Sequence, residues 1–460
     1  MTAAQAAAQP VIGRAGESTF FGHPKGLAYL TFTEALERFS YYGMTALLAL
    51  YMSKQLLLPG HAEQVLGLGA LRDLLEMRGP MSNIAFASLV YGWYGGLVYL
   101  TPILGGWLAD RWLGTTLAVT LGALLMAAGH LAMSFDASFL IALALLIVGS
   151  GLLKGNIAAQ VGQLYPPNDE SRRTRGFTIF SAGINVGAVG GPIACGGVAA
   201  VYGWHAGFGL AAVLMLVALA TYLSGLRHLP GRKPRGRRRG GAPLPPLTAE
   251  ERRRTALLAL LFALIVLAFA SYMMIWNIGI LWVDERVDLS SPLGAVPAAW
   301  FNSIDAFASI VAVPPLVALW AWQAKRASEP NDIAKIAIGA ALNGFSALIL
   351  AAGAALSGAD GKTHVAWAIA GFFGMGVAFL YYWPVLLALV SRQAPAKINS
   401  TMMGCAYLTI FFGSVIMGWV GSFYETMSPA AFWMLDSVLA FTSMIAVWLL
   451  YKPLTRGLHS

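Results

Sequence analysis

Charge is scarce in this chain. Asp, Glu, Lys and Arg make up 11% of its 460 residues, against about 25% in a typical soluble domain. A single soluble core also stops growing near roughly 250–300 residues, and no soluble domain boundary is visible. Water is therefore not the main solvent, and a soluble enzyme or binding module is excluded. Cysteine is nearly absent. Cys195 and Cys405 both lie in apolar, Gly-rich stretches, so they read as small buried hydrophobes rather than a disulfide or metal site. Metal-ligand spacings, a Ser/His arrangement and catalytic acids paired across helices are all missing. No enzyme activity, metal or cofactor is expected. The N-terminus lacks a charged region followed at once by an apolar stretch and a small-residue cleavage site. No cleaved leader is expected, and the first span is the insertion signal.

What the chain has is long apolar runs, 58% of its residues being hydrophobic. Runs of about 20 residues, enough to cross a bilayer, fall near 28–53, 84–108, 115–135, 138–162, 176–202 and 206–226, then near 255–282, 298–322, 332–357, 363–391, 399–422 and 430–451. These are spans 1 to 12. The expected fold is an all-α polytopic membrane protein of the major facilitator type: an N-terminal six-helix bundle over 1–226, a basic linker over 227–254, and a C-terminal six-helix bundle over 255–460. The linker contains PGRKPRGRRRGGAPLPPL and about a third of the basic residues. It reads as a solvated cytoplasmic segment, so the +9 net charge does not imply nucleic acid.

Basic residues agree on sidedness. Arg111, Arg172, Arg173, Arg175, the linker, Lys325, Arg326, Arg392 and Lys397 fall in alternate loops, with Arg14, Lys452 and Arg456 in the tails. The opposite loops hold Asp136, Asp360, Lys362, Glu425 and mixed runs around 54–78 and 284–288. By the positive-inside rule both termini are cytoplasmic, which requires an even number of spans. Two parallel repeats place a substrate site between the halves at mid-membrane.

A charge inside hydrocarbon costs several kcal/mol, so each one is a functional candidate. Glu34, Glu37 and Arg38 share one face of span 1, where Arg38 can neutralise the acids; Tyr41, Tyr42 and Thr45 continue that face. Lys154 lies in span 4 and Asp305 in span 8. Asn156, Asn185 and Asn277 add uncharged polar groups. A structural ion-pair network is the competing reading for span 1, and Asp305 reads equally as a proton site or a satisfied polar group. His130 in span 3 reads as packed rather than as a relay. Spacings such as Gly183–Gly187 read as helix packing.

Some of these residues form longer patterns. Glu34-Ala-Leu-Glu37-Arg38-Phe39-Ser-Tyr41-Tyr42-Gly43 resembles the span 1 signature, ExxERFxYYG, of the proton-dependent oligopeptide transporter (POT) family. Pro102-Ile-Leu-Gly105-Gly106-Trp-Leu-Ala-Asp110-Arg111, Gly151-Leu-Leu-Lys154-Gly-Asn156 and Phe177-Thr-Ile-Phe180-Ser181-Ala-Gly-Ile184-Asn185-Val-Gly187 are similar to its other N-terminal motifs, in order and spacing. The C-terminal half is similar more loosely, through Leu281-Trp282 with Asp284, Trp300-Phe301, and Ala394-Pro395 before Met402-Met403-Gly404.

The resemblance implies uptake of di- and tripeptides or related solutes, driven by inward proton movement through alternating access. It assigns proton coupling to Glu34, Glu37 and Arg38, and pocket positions to Tyr42, Tyr99, Lys154 and Asn185. Asp110 and Arg111 would steady the cytoplasmic gate. The family's usual groups are replaced at several places. Thr45 stands for an Arg, Ser181 for a Tyr, and Asp305 for an Asn. Met273, or Trp276 in a second register with Asn277 nearby, stands for a protonatable Glu. No acid occurs between 363 and 391, where a Glu is usual. Asp305 could then meet a substrate ammonium or carry a proton. The partners expected are a short peptide or analogue, protons and the lipid bilayer, for a functional monomer in a bacterial inner membrane. The alternative is the same scaffold carrying a non-peptide solute. A receptor or assembly scaffold that has lost transport is a third reading, disfavoured by the intact N-terminal motifs.

Overall fold

The computed structural model describes residues 19–20, 22–77, 79–166, 169–230, 246–292, 294–357 and 361–458. The Arg-rich core of the linker, Arg14 and Asp360 lie outside the described residues.

The described residues open with a tiny hairpin, β1 (Thr19–Phe20) on β2 (His23–Pro24). Fifteen α-helices follow: α1 (Lys25–Tyr51), α2 (Leu68–Leu75), α3 (Asn83–Leu108), α4 (Gly114–Ala132), α5 (Phe139–Gln163), α6 (Glu170–Tyr202), α7 (Trp204–Gly225), α8 (Ala249–Met274), α9 (Ile280–Arg286), α10 (Ile304–Lys325), α11 (Asp332–Ala355), α12 (Val365–Gln393), α13 (Asn399–Gly421), α14 (Pro429–Leu449) and α15 (Tyr451–Leu458). Ten stretches are both long and apolar enough to cross a membrane. One of them, Asn83–Ala132, is 50 residues long. At about 1.5 Å per residue it exceeds one bilayer twice over. It is two spans, α3 and α4, reversed at Gly114, whose φ of 75° suits glycine. Helix α1 is span 1 and brings the total to twelve. Its buried Glu34, Glu37 and Arg38 lower its hydropathy without shortening its 27 residues. Span 7 is α8 joined to α9 through one π-helical turn, Ile275–Gly279.

Packing follows one scheme used twice. In the first half span 1 packs on spans 5 and 6, span 2 on span 4, and span 3 on spans 4 and 6. In the second half span 7 packs on spans 11 and 12, span 8 on span 10, and span 9 on spans 10 and 12. Adding six to each number converts one list into the other; span 5 on span 6 is a first-half pairing without such a counterpart. The seams between halves obey the same rule: span 2 lies on span 11, and span 5 meets span 8. Two six-helix bundles related by a pseudo-two-fold axis produce this pattern.

Apolar side chains such as Val186, Val213, Leu216, Trp419 and Trp448 remain exposed, as a lipid-facing surface requires. Small residues let backbones approach where lipid gives helices no hydrophobic reason to associate. A Cβ on Gly187 of α6 would lie 2.6 Å from the Ala35 carbonyl of α1, and one on Gly92 of α3 would lie 2.7 Å from Gly418 Cα of α13. Both thiols, Cys195 and Cys405, are free. His130 is fully buried.

Candidate functional site

Three and four residues make one helical turn, so Glu34, Glu37 and Arg38 converge on one face of α1. All three are buried. The Arg38 guanidinium donates to Glu37 Oε1 at 2.7 Å, its Nε lies 3.1 Å from Glu34 Oε1, and it also pairs with Glu37 Oε2. One fixed fork thus serves two carboxylates, a geometry natural to arginine and not to lysine. The same guanidinium lies over the Tyr41 ring at 5.3 Å.

Lys154 enters from α5. Its Nζ is buried without a hydrogen-bond partner. It sits 4.3 Å from the Tyr41 ring centroid and 4.9 Å from that of Tyr99 on α3. Two aromatic faces stabilise an ammonium without satisfying its three donors. Lys154 interacts electrostatically with Arg38, Glu37 and Glu34, so spans 1 and 4 form one charged cluster.

Across the interface, Asp305 of α10 is buried. Its Oδ2 accepts a 2.7 Å hydrogen bond from the Tyr272 hydroxyl of α8, while Oδ1 has no partner. Tyr272 is itself stacked on Phe379 of α12, with centroids 5.0 Å apart. Tyr42 joins the halves. Its ring lies 5.5 Å from Trp276, and it interacts electrostatically with both Arg38 and Asp305. A cationic orphan in the first half and an anionic orphan in the second therefore flank an aromatic bridge.

The remaining candidates are placed differently. The Thr45 hydroxyl donates to the carbonyls of Tyr41 and Tyr42 in its own helix, at 3.0 and 3.2 Å. Ser181 and Asn185 are exposed on α6. The Met273 sulfur accepts from Ser414 of α13 at 2.9 Å. Asn277 is fully buried in a contact between halves, where its amide donates to Ser88 Oγ at 2.7 Å and to Met417 sulfur at 2.9 Å. Ser88 in turn donates to the Gly418 carbonyl at 3.0 Å. On the side away from the linker, Lys54 pairs with Asp284 and Ser82 bonds Glu425, each across the two halves. Asp110 and Arg111 are exposed near the opposite side, where Arg111 lies between Trp107 and Trp112 at 5.6 and 5.5 Å.

One buried acid is absent from the sequence reading. Asp436 lies inside span 12, fully buried, with Ser271 of α8 donating to Oδ2 at 3.0 Å. Its signal was available: it is the one Asp, Glu, Lys, Arg or His of the apolar run 430–451.

Twelve spans in two repeated halves, meeting around buried opposite charges, define a membrane transporter of the major facilitator type rather than an enzyme. The POT family model matches residues 116–239 and 247–434. The chain belongs to the POT family. A di-/tripeptide transporter of Lactococcus lactis subsp. cremoris is 29% identical over 513 aligned positions, spanning 96% of this chain and 97% of that protein. The crystal structure of a peptide transporter POT in complex with sulfate is similar with a TM-score of 0.84 and 28% identity, covering 96% of this chain and 97% of that one. The crystal structure of a POT family transporter in complex with 5-aminolevulinic acid gives a TM-score of 0.82 at 26% identity, covering 95% and 98%.

Proposed function

We propose that this protein takes up di- and tripeptides or peptide-like solutes by alternating access, coupled to protons entering the same compartment. The observation that carries the reading is the pair of orphans, Lys154 Nζ and Asp305 Oδ1, on opposite sides of the Tyr42–Trp276 bridge. A zwitterion entering a low-dielectric cavity needs a partner at each end, because an unpaired buried charge is expensive. Lys154 is suited to the carboxylate and Asp305 to the ammonium. Tyr42 and Tyr99 would line the pocket, with Asn185 and Ser181 on its α6 wall.

Charge counting supports proton coupling. Glu34, Glu37 and Asp305 against Arg38 and Lys154 leave one surplus negative charge when all ionise, and one bound proton neutralises it. Glu34, Glu37 and Arg38 are the proposed coupling group on span 1. Asp110 and Arg111 would act at the cytoplasmic gate. On this proposal the protein is a monomer in a bacterial inner membrane, and the distribution of basic loops favours both termini being cytoplasmic.

The test is uptake of labelled dialanine into vesicles containing purified protein, with and without an inward proton gradient. Gradient-driven accumulation is expected, and it should disappear in Glu37→Gln and Lys154→Ala. No peptide uptake by folded protein would overturn the substrate assignment. Near-normal driven uptake by both variants would remove the charged cluster from the mechanism.

A further inference from the structure

Asp436 sits behind the central site rather than in it. Helix α14 presents it to α8 and α11, and it has no exposed surface. Its single hydrogen bond comes from a neutral hydroxyl, Ser271 Oγ at 3.0 Å, and Oδ1 has no partner. The polar side chains of the packed elements near it are Ser271 of α8, Asn343 and Ser346 of α11, and Ser437 of α14 itself, all buried and uncharged. Asn343 donates to the Ala268 carbonyl at 3.0 Å, and its own Oδ1 is also orphaned. Charges on these elements stand at far ends. Asp332 and Lys335 begin α11, the lysine engaged by Glu329; Glu250, Glu251, Arg252, Arg253 and Arg254 begin α8, and Lys452 and Arg456 lie beyond the end of α14. No cation pairs with Asp436 among the described residues.

An ionised carboxylate cannot be sustained on one hydroxyl in so dry a place, whereas a protonated carboxyl can. The position of this group matters more than its state. Ser271 and Tyr272 are consecutive in span 7. Ser271 is held by Asp436 from span 12, and Tyr272 by Asp305 from span 8. Helical geometry sets adjacent side chains about 100° apart. One turn of span 7 is thus gripped from two sides by two buried acids. Immediately after that turn the helix widens at Ile275–Gly279, a type of defect that recurs at functional sites.

We propose that Asp436 is a proton site of the transport cycle outside the central cavity, acting on span 7 through Ser271. The carboxylate takes one proton from water when the α8–α14 seam is open, and returns it to water on the other side of the cycle. No other bond changes. This reading rests on the proton-coupled transport proposed above. Asp436 is a positioning residue, touching the helix that carries Tyr272 and Met273 and not the substrate.

The experiment compares wild type, Asp436→Asn and Ser271→Ala in vesicles, using labelled dialanine. Counterflow without a gradient and accumulation driven by a proton gradient are measured for each across pH. Asp436→Asn should retain counterflow and lose at least about tenfold of the driven accumulation, because a permanently neutral amide keeps the shape and not the proton. Equal driven accumulation with an unchanged pH profile would overturn the proposal. Should Asp436→Asn fail to fold, Ser271→Ala decides. Removing the hydroxyl takes away the carboxylate's one donor and costs the charged form more than the neutral one, so the midpoint of driven uptake should move to higher pH. A profile superimposable on wild type would sink the assignment. A wild type without any proton drive would bring down the broader transport reading and this one together. Intact drive in Asp436→Asn would remove this one alone.

Discussion

The Tyr272 hydroxyl donates a hydrogen bond to Asp305 Oδ2 across 2.7 Å, tying span 7 to span 8 at the level of the central aromatic bridge. The bond leaves one oxygen of Asp305 for another donor. Tyr272→Phe should therefore keep the fold and reduce driven uptake about tenfold, the value of roughly one hydrogen bond to a charged group. Asp305→Asn should alter the pH dependence of uptake as well as its size. A shift in size alone, with the wild-type pH profile, would make Asp305 a substrate contact without a role in coupling.

Lys54 and Asp284 join the halves on the side away from the linker, and both are partly exposed. A partly exposed pair contributes about 1 kcal/mol at most. Lys54→Ala should thus leave the melting temperature nearly unchanged while loosening this closure. A cysteine placed at Ser88, in a background with Cys195 and Cys405 replaced, should then label faster with a membrane-impermeant thiol reagent added from that side. An unaltered labelling rate would show that the other contacts on this side, Ser82 with Glu425 among them, hold the closure unaided.

Gly187 has no room for a methyl group. Its Cβ would lie 2.6 Å from the Ala35 carbonyl and 2.7 Å from Arg38 Cβ. Gly187→Ala should destabilise the protein by about 1–3 kcal/mol, typical of overpacking, and should impair driven uptake by displacing Arg38. Thermal unfolding in detergent gives the first quantity. Wild-type stability would mean that α1 and α6 separate at little cost.

His23 offers a pH test outside the membrane. It shares a 2.8 Å hydrogen bond with Tyr165. Burial, then Arg172 and Arg175, hold its imidazole below the ordinary value of 6.5. The unfolded segment accordingly binds protons that the folded one refuses. The stabilisation is present above about pH 6.5 and is lost as pH falls below it. Hydrogen exchange at Thr19–Lys25 should accelerate, beyond its intrinsic pH dependence, between about pH 7 and 5. His23→Gln should flatten that response, and an equally steep response in the variant would assign the effect elsewhere.

Much of the fold was legible because membrane spans are written in composition. Twelve apolar runs and one basic linker suffice for topology, and the charged face of α1 could be read from spacings of three and four. The cluster of Lys154 with Tyr41 and Tyr99 needed helices 1, 2 and 4 to be placed together, which no local pattern provides. Thr45 illustrates a further gap. Its place on the charged face, where the family usually has an Arg, suggested a pocket position, yet its hydroxyl is spent on its own helix. Asn277 likewise spends its amide on Ser88, 189 residues away. Asp436 stands alone in its apolar run, and its partner Ser271 is 165 residues distant, so no local pattern joins the two.

The repeated packing scheme has a consequence for how fragility is distributed. Within each half five helix pairings recur, whereas the halves touch chiefly along two seams, α3 on α13 and α6 on the start of α10. Heat must dismantle the former, while a working cycle rearranges the latter and, by the proposal for Asp436, one contact of the former, α8 on α14. Durability and turnover thereby fall largely on different residues, so most of the protein could be made hardier without being made slower.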